Sequence, residues 1–350
     1  MRWNTMSKFT VIGGGIAGAS TAYHLAKSGH DVTVYDRFDE GQATRASAGI
    51  ICPWTSQRRN KKWYRLVQAG AQYYPSFIKD IEALTGLDTG YDNHGALCLF
   101  KDDRIQQLAF ERILKKKEFA PEMGEVKKLS AAELLEIHPS LTSSYPAVFV
   151  EGGAQINGQQ LLNALKQGYL HYGGKWIQAN LEPEEGEGVV IYAAGAWGKE
   201  FVAEPMIQHQ KAELLHVEVK AAIQASTPVV MGLGPTYIVP TGKNKYAIGT
   251  THEDTASFDI SPSKKSEQYL LQEAKRYFPN TPLEVSHMSV GLRPFTRDSL
   301  PYLGWSKKNI FIINGLGSSG LTSGPVIGRE VAAYLTNQTT KLPMEDYAYS

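Results

Sequence analysis

The first segment able to do chemistry is Gly13-Gly14-Gly15-Ile16-Ala17-Gly18. It lies between an apolar run, Phe9-Thr10-Val11-Ile12, and a small-residue stretch that ends at Gly29. A second apolar run, Val32-Thr33-Val34-Tyr35, closes on Asp36. Strand, glycine turn, helix, strand and acid in this order make a dinucleotide site. Gly13 permits the tight turn, Gly15 lets the backbone approach a pyrophosphate, and Gly18 lets the helix pack on the sheet. Ile16 and Ala17 open the helix, whose unpaired N–H groups and positive end face the phosphates. Asp36, followed by Arg37, can accept from ribose hydroxyls. The motif by itself does not choose between NAD and FAD. The plainer reading is an ordinary tight turn with Asp36 as a solvated strand end; the full context weighs against it.

Four later segments narrow the choice. Arg45-Ala46-Ser47-Ala48-Gly49-Ile50-Ile51 follows a polar loop holding Gly41 and Thr44. Val189 to Tyr192 leads into Ala193-Ala194-Gly195-Ala196-Trp197. Gly291-Leu292-Arg293-Pro294 precedes Thr296-Arg297-Asp298-Ser299-Leu300-Pro301. The apolar run Asn309 to Asn314 precedes Gly315-Leu316-Gly317-Ser318-Ser319-Gly320-Leu321. Together these resemble the D-amino-acid oxidase family of FAD-dependent oxidoreductases, in its glycine oxidase and sarcosine oxidase branch, from Val11 to Arg329. The resemblance implies FAD and an α/β fold of the glutathione-reductase or p-hydroxybenzoate-hydroxylase type. In that fold a Rossmann-like FAD-binding domain (1–90, 148–207 and 288–350) is interleaved with a mainly antiparallel substrate domain (91–147 and 208–287).

Residue roles follow from the same resemblance. Arg45, Ser47, Ala48, Gly49 and Ile50 run along the pyrophosphate toward the flavin, although a small-residue loop can also serve packing alone. Ala193, Ala194, Gly195 and Trp197 neighbour FAD, with an interface role open for Trp197. Gly317, Ser318, Ser319, Gly320 and Leu321 contact the flavin edge and ribityl chain, where helix-start N–H groups favour negative charge. Arg293 binds the substrate carboxylate, because a planar guanidinium fixes it through two parallel bonds, and it is counted among the cofactor-binding residues as well. A structural ion pair is the alternative for Arg293, and Arg297 falls past the pocket edge. Tyr237, before Ile238-Val239-Pro240, bonds the same carboxylate. His252 stands where the glycine oxidase pattern has an apolar residue and turns toward the substrate side chain. Trp54 and His94 are placed at the flavin face or pocket mouth. Between Gly173 and Val189 the family's hairpin is trimmed to an acidic turn, which leaves an adenine-side contact near Lys175-Trp176 open. No cysteine occurs in the later motifs, so the flavin is expected to be noncovalent.

The implied reaction is oxidative deamination or demethylation of a small amino acid, of the glycine, sarcosine or D-amino acid type, by hydride transfer to flavin N5. Molecular oxygen is the expected acceptor. A dehydrogenase using a quinone or other carrier, a noncatalytic flavoprotein subunit and an enzyme for a larger amine remain as alternatives. Lysine plus arginine (36) against aspartate plus glutamate (35) leaves a net charge of +1, which offers no field for nucleic acid or an anionic membrane. Cys52 and Cys98 form no CxxC pair, and the histidines show no metal-ligand spacing. No apolar leader precedes the first strand and no stretch is long enough to span a bilayer, so a cytoplasmic protein is expected. Oligomeric state is not readable.

These groups need a scaffold. Helical periodicity predicts a helix over Asn60 to Leu84, interrupted near Pro75, and another over Asp103 to Lys117. Ser130 and Glu133 form a capping box. Strands are expected at Ala96–Phe100, Pro146–Val150, His209–Lys220, Val229–Met231, Thr236–Pro240, Tyr246–Thr251 and Val285–Val290. A helix carries Leu161, Leu162 and Leu165, and another runs from Ser263 to Phe278. Successive strands with few interruptions imply a large antiparallel sheet in the second half.

Overall fold

The first apolar run forms the strand Lys8–Ile12, and the glycine turn feeds the helix Ile16–Lys27. The computed structural model describes residues 7–142, 144–201, 207–221 and 226–348. Lys8–Ile12 is a central strand, covered on both faces, which is why Phe9 and Val11 are both buried and the run does not alternate. It pairs in parallel with Asp31–Asp36 on one side and Val189–Tyr192 on the other. Lys175–Gln178 extends the sheet beyond Asp31–Asp36; Ile310–Asn314 and the antiparallel Tyr302–Lys307 extend it beyond Val189–Tyr192. The helices Ile16–Lys27, Gly158–His171 and Gly320–Leu335 supply the apolar cover.

The helix expected to break near Pro75 does not. It runs unbroken from Lys61 to Thr85, capped by the Asn60 side chain and ended by Gly86 in the left-handed conformation. Pro75 removes one N–H, while the buried Tyr74 and Phe77 on either side hold the helix in the core. The Tyr74 hydroxyl donates to the Leu321 carbonyl at 2.6 Å and ties this helix to the C-terminal glycine segment.

Among the described residues nine strands form a second sheet, antiparallel except where Val229–Met231 runs parallel to Ala96–Leu99. Its longest pair is Gln208–Val219 with Leu283–Phe295. The second of these was expected to end at Val290; it continues through Arg293 and Pro294. Its partner is long enough to extend the ladder, and a proline is tolerated at this sheet edge, where Gln208–Val219 is the one strand of the sheet paired with it among the described residues. The boundaries expected at 148 and 288 fall inside Ala147–Val150 and Leu283–Phe295, both strands of this sheet. The ties that cross to the first sheet's segments include the Leu292 N–H donating to the Gly41 carbonyl at 2.9 Å and a bridge from Phe295 to Leu316. The Ser130–Glu133 capping box forms. No helix among the described residues is long and apolar enough to cross a membrane.

Candidate active site

A cavity of about 1100 Å³ runs between the two sheets, from the glycine turn to the strand that carries Arg293. At the glycine turn, Gly13 holds φ at +99° and its N–H donates to the Tyr35 carbonyl at 2.8 Å. A Cβ there would stand 2.4 Å from the Ala193 oxygen, so only glycine lets the two strand ends meet. Gly18 does not reach the cavity: a Cβ on it would collide with the Gly13 carbonyl, the close packing expected of it. Above Gly15 the space is open, with only the Thr44 hydroxyl within 4 Å of an added Cβ. The helix start has no acidic residue in its first turn and no side-chain cap at Gly15. Ile16 donates its N–H to Thr44 Oγ1 at 3.1 Å. An open, positively polarised helix end lined by Gly15, Ile16 and Ala17 suits a diphosphate.

Asp36 is not a solvated strand end. It is buried and accepts from the Gly14 N–H at 2.5 Å, the Phe38 N–H at 2.6 Å and Gln42 Nε2 at 3.0 Å. A carboxylate offers about four acceptor positions, which leaves room for one ribose hydroxyl. Arg37 lines the cavity but pairs with Asp39 and Glu200. The trimmed segment after Lys175–Gln178 is itself a wall, because residues 179–183 line this end.

Ser47, Ala48, Gly49 and Ile50 line the next stretch. The Ser47 hydroxyl donates to the Thr44 carbonyl at 2.7 Å, so the loop spends this donor on its own geometry. Arg45 is expected along the pyrophosphate. It does not line the cavity; its Nε donates to Gln42 at 2.8 Å and its Nη1 to Gln159, on an exposed face. Ala193, Ala194, Gly195 and Trp197 are opposite walls. The Trp197 ring also stacks on Phe258 with centroids 5.7 Å apart, so it serves both the cavity and the contact between segments. Gly317 to Leu321 line the cavity where an added Cβ at Gly317 would meet nothing within 4 Å.

Arg293, Tyr237 and His252 converge at the other end. Gln210 stands directly across the strand pair from Arg293, and its Oε1 accepts from Arg293 Nη2. His252 Nδ1 lies 3.2 Å from the same Nη2. Burial, then the Arg293 charge, lowers the His252 imidazole from its ordinary value of 6.5, which keeps Nδ1 an acceptor at neutral pH. Arg293 Nε is buried without a partner, and among the described residues no carboxylate pairs with this guanidinium. The structural ion pair is thereby absent from the described residues, and the Arg293 charge is matched by no carboxylate among them. Burial pushes the Tyr237 hydroxyl up to about 12, against smaller pulls from Thr250 and Arg293, so it remains a donor across the working pH range.

Trp54 is buried with Nε1 unpartnered, and His94 pairs with Asp92 at 2.8 Å; neither lines the cavity. Several residues escaped sequence reasoning. Thr44, Gln42 and Gln210 are ordinary polar residues; Gln42 bonds Asp36 six residues before it, the partners of Thr44 and Gln210 lie far along the chain, and only strand register singles out Gln210. Arg58, Lys101 and Arg112 also line the cavity, and no periodicity marked them. Cys52 and Cys98 are free thiols in its wall, and burial pushes Cys52 up to about 12. No group of three or more histidine, cysteine or acidic side chains among the described residues is placed to hold a metal.

A family profile described as FAD dependent oxidoreductase (DAO) matches residues 8–334. YurR of Bacillus subtilis (strain 168), described as an uncharacterized oxidoreductase, is 37% identical over 98% of this chain and 98% of its own. The glycine oxidase of Geobacillus kaustophilus (strain HTA426) is 25% identical over 97% of this chain and 95% of its own. The crystal structure of iminodiacetate oxidase from Chelativorans sp. BNC1 superposes with a TM-score of 0.91 at 29% identity, covering 97% of this chain and 98% of that one.

Proposed function

The chain belongs to the DAO family of FAD-dependent oxidoreductases, and from that premise we propose that it oxidises a small amine or amino acid held by its carboxylate on Arg293, with molecular oxygen as the acceptor. The observation that carries this reading is the Arg293 guanidinium, set in the cavity wall with Nε buried and unpartnered. Gln210 and His252 both engage Nη2, and Nε and Nη1 have no hydrogen-bond partner among the described residues. Tyr237, protonated at working pH, donates to the same carboxylate.

Bound FAD supplies the two-electron acceptor for the hydride that leaves the carbon beside the amine. The protein's part is positional. Arg293 and Tyr237 fix the carboxylate, and so the angle at which the C–H bond enters the cavity. The buried surroundings favour the neutral amine, whose lone pair assists as the hydride departs. The product imine is hydrolysed by water to a carbonyl compound and an amine or ammonia. No side chain is required as a nucleophile, in keeping with thiols at Cys52 and Cys98 that burial keeps protonated. FAD-binding pieces at 1–90, 151–207 and 296–350 fit the two sheets better than boundaries inside a strand.

Anaerobic titration tests the reading. Glycine, sarcosine, proline, D-alanine and iminodiacetate are added in turn to the flavin-loaded protein while the visible band is followed. Bleaching by at least one, with peroxide formed on admitting air, is expected. A band that none of these amines bleaches overturns the clamp. Bleaching without peroxide moves the acceptor to a quinone or another carrier.

A further inference from the structure

Arg58 has no task in the reaction as described. It lies in the loop between the short helix Pro53–Thr55 and the helix Lys61–Thr85. Its guanidinium lies over Trp63, 4.8 Å from the ring centroid, and its Nη2 donates to Ser318 Oγ at 3.3 Å. The aromatic face and the hydroxyl hold the planar group in place. It lines the same cavity as Arg293 and lies close enough to oppose that residue's charge. Among the described residues no carboxylate pairs with Arg58. The acids that line the cavity, Asp36, Asp39, Glu182 and Glu200, belong to its nucleotide end.

Two like charges held together in a partly desolvated wall repel each other unless anions accompany them. One substrate carboxylate answers Arg293 and leaves Arg58 unanswered. The FAD diphosphate has its own site at the glycine turn. We propose that Arg58 forms a second carboxylate subsite, so that the preferred substrate is an amine carrying two carboxylates, one on Arg293 and the other on Arg58. This rests on the Arg293 clamp proposed above and adds a second point of attachment.

The test uses the flavin-loaded protein and acids that carry no amine, so that binding is read without turnover. Acetate and propionate are compared with malonate, succinate and glutarate through their perturbation of the visible flavin band. The best dicarboxylate is expected to bind at least about tenfold tighter than the best monocarboxylate, as one further charge-assisted contact would give. Arg58→Gln should weaken that dicarboxylate by about 10- to 100-fold and change monocarboxylate binding by less than about twofold. Arg58→Lys should recover part of the loss, and monocarboxylate binding in each variant reports an intact site. Dicarboxylates no tighter than monocarboxylates in the unmodified protein remove the second subsite and leave the Arg293 clamp standing. Failure of every acid to bind overturns both. A shifted flavin midpoint potential in Arg58→Gln, with the dicarboxylate preference unchanged, assigns Arg58 to the cofactor and overturns the proposal.

Discussion

The two ends of the cavity treat charge in opposite ways. At the nucleotide end Asp36 accepts three hydrogen bonds, and Arg37 is matched by Asp39 and Glu200. What that end offers a ligand is backbone: an open helix start above Gly15. At the substrate end the offer is made by side chains. Arg58 and Arg293 line the wall within reach of each other's charge, with no paired carboxylate among the described residues, and Nε of Arg293 is buried without a partner. The first end is completed by the protein and shaped by glycine. The second is completed only by an anion. On the function proposed above, affinity for the cofactor rests on chain geometry, which side-chain variation hardly alters, whereas substrate choice rests on a few guanidinium groups.

The largest expected effect lies at the nucleotide end. Gly13→Ala places a Cβ 2.4 Å from the Ala193 oxygen at a φ of +99°. Both strain and overlap oppose it. The variant should purify without flavin, read from the ratio of visible to ultraviolet absorbance. Stoichiometric yellow flavin in this variant would break the claim that backbone approach governs this end.

Arg293→Gln comes second. Removing one partner of a desolvated charge pair costs about 3–5 kcal/mol, or roughly two to four orders of magnitude in kcat/KM. Flavin content should not change. Steady-state kinetics on the best amine check the first point and the visible spectrum checks the second. Loss of flavin instead would make Arg293 part of the cofactor site and blur the division between the ends.

Arg45→Ala should do least. The side chain is exposed and bonded to Gln42 and Gln159, so FAD affinity is expected to change by no more than about twofold. Titration of the apoprotein with FAD measures this. A loss of tenfold or more would return Arg45 to the pyrophosphate contact that the family resemblance implies.

The elements and motifs differed in how far they were legible. The Gly13–Gly18 turn was readable because each glycine answers a steric demand from atoms a few residues away, or from a strand that the motif itself predicts. Tyr237 and Arg293 were reached through family resemblance, since a lone tyrosine or arginine in a strand carries no local signal. The resemblance could not show that Arg45 bonds Gln159, because that partner sits in a helix far along the chain. Pro75 and Pro294 misled for a shared reason: proline weakens a helix or strand locally, but a buried face at one and a long partner strand at the other outweighed that preference.

The sequence by itself determined the dinucleotide turn, the parallel sheet around it and the family to which the motifs belong, because all of these rest on short-range sterics and periodicity. It did not determine what the cavity wants at its far end. A net charge of +1 conceals that division entirely. Arg58 comes from a loop, Arg112 from a helix and Arg293 from a strand of the second sheet, and the acids that balance them in the total lie elsewhere. Only the tertiary structure brings the three guanidinium groups to one cavity, since charge in a cavity is a property of which surfaces meet and not of the order in which their residues are joined.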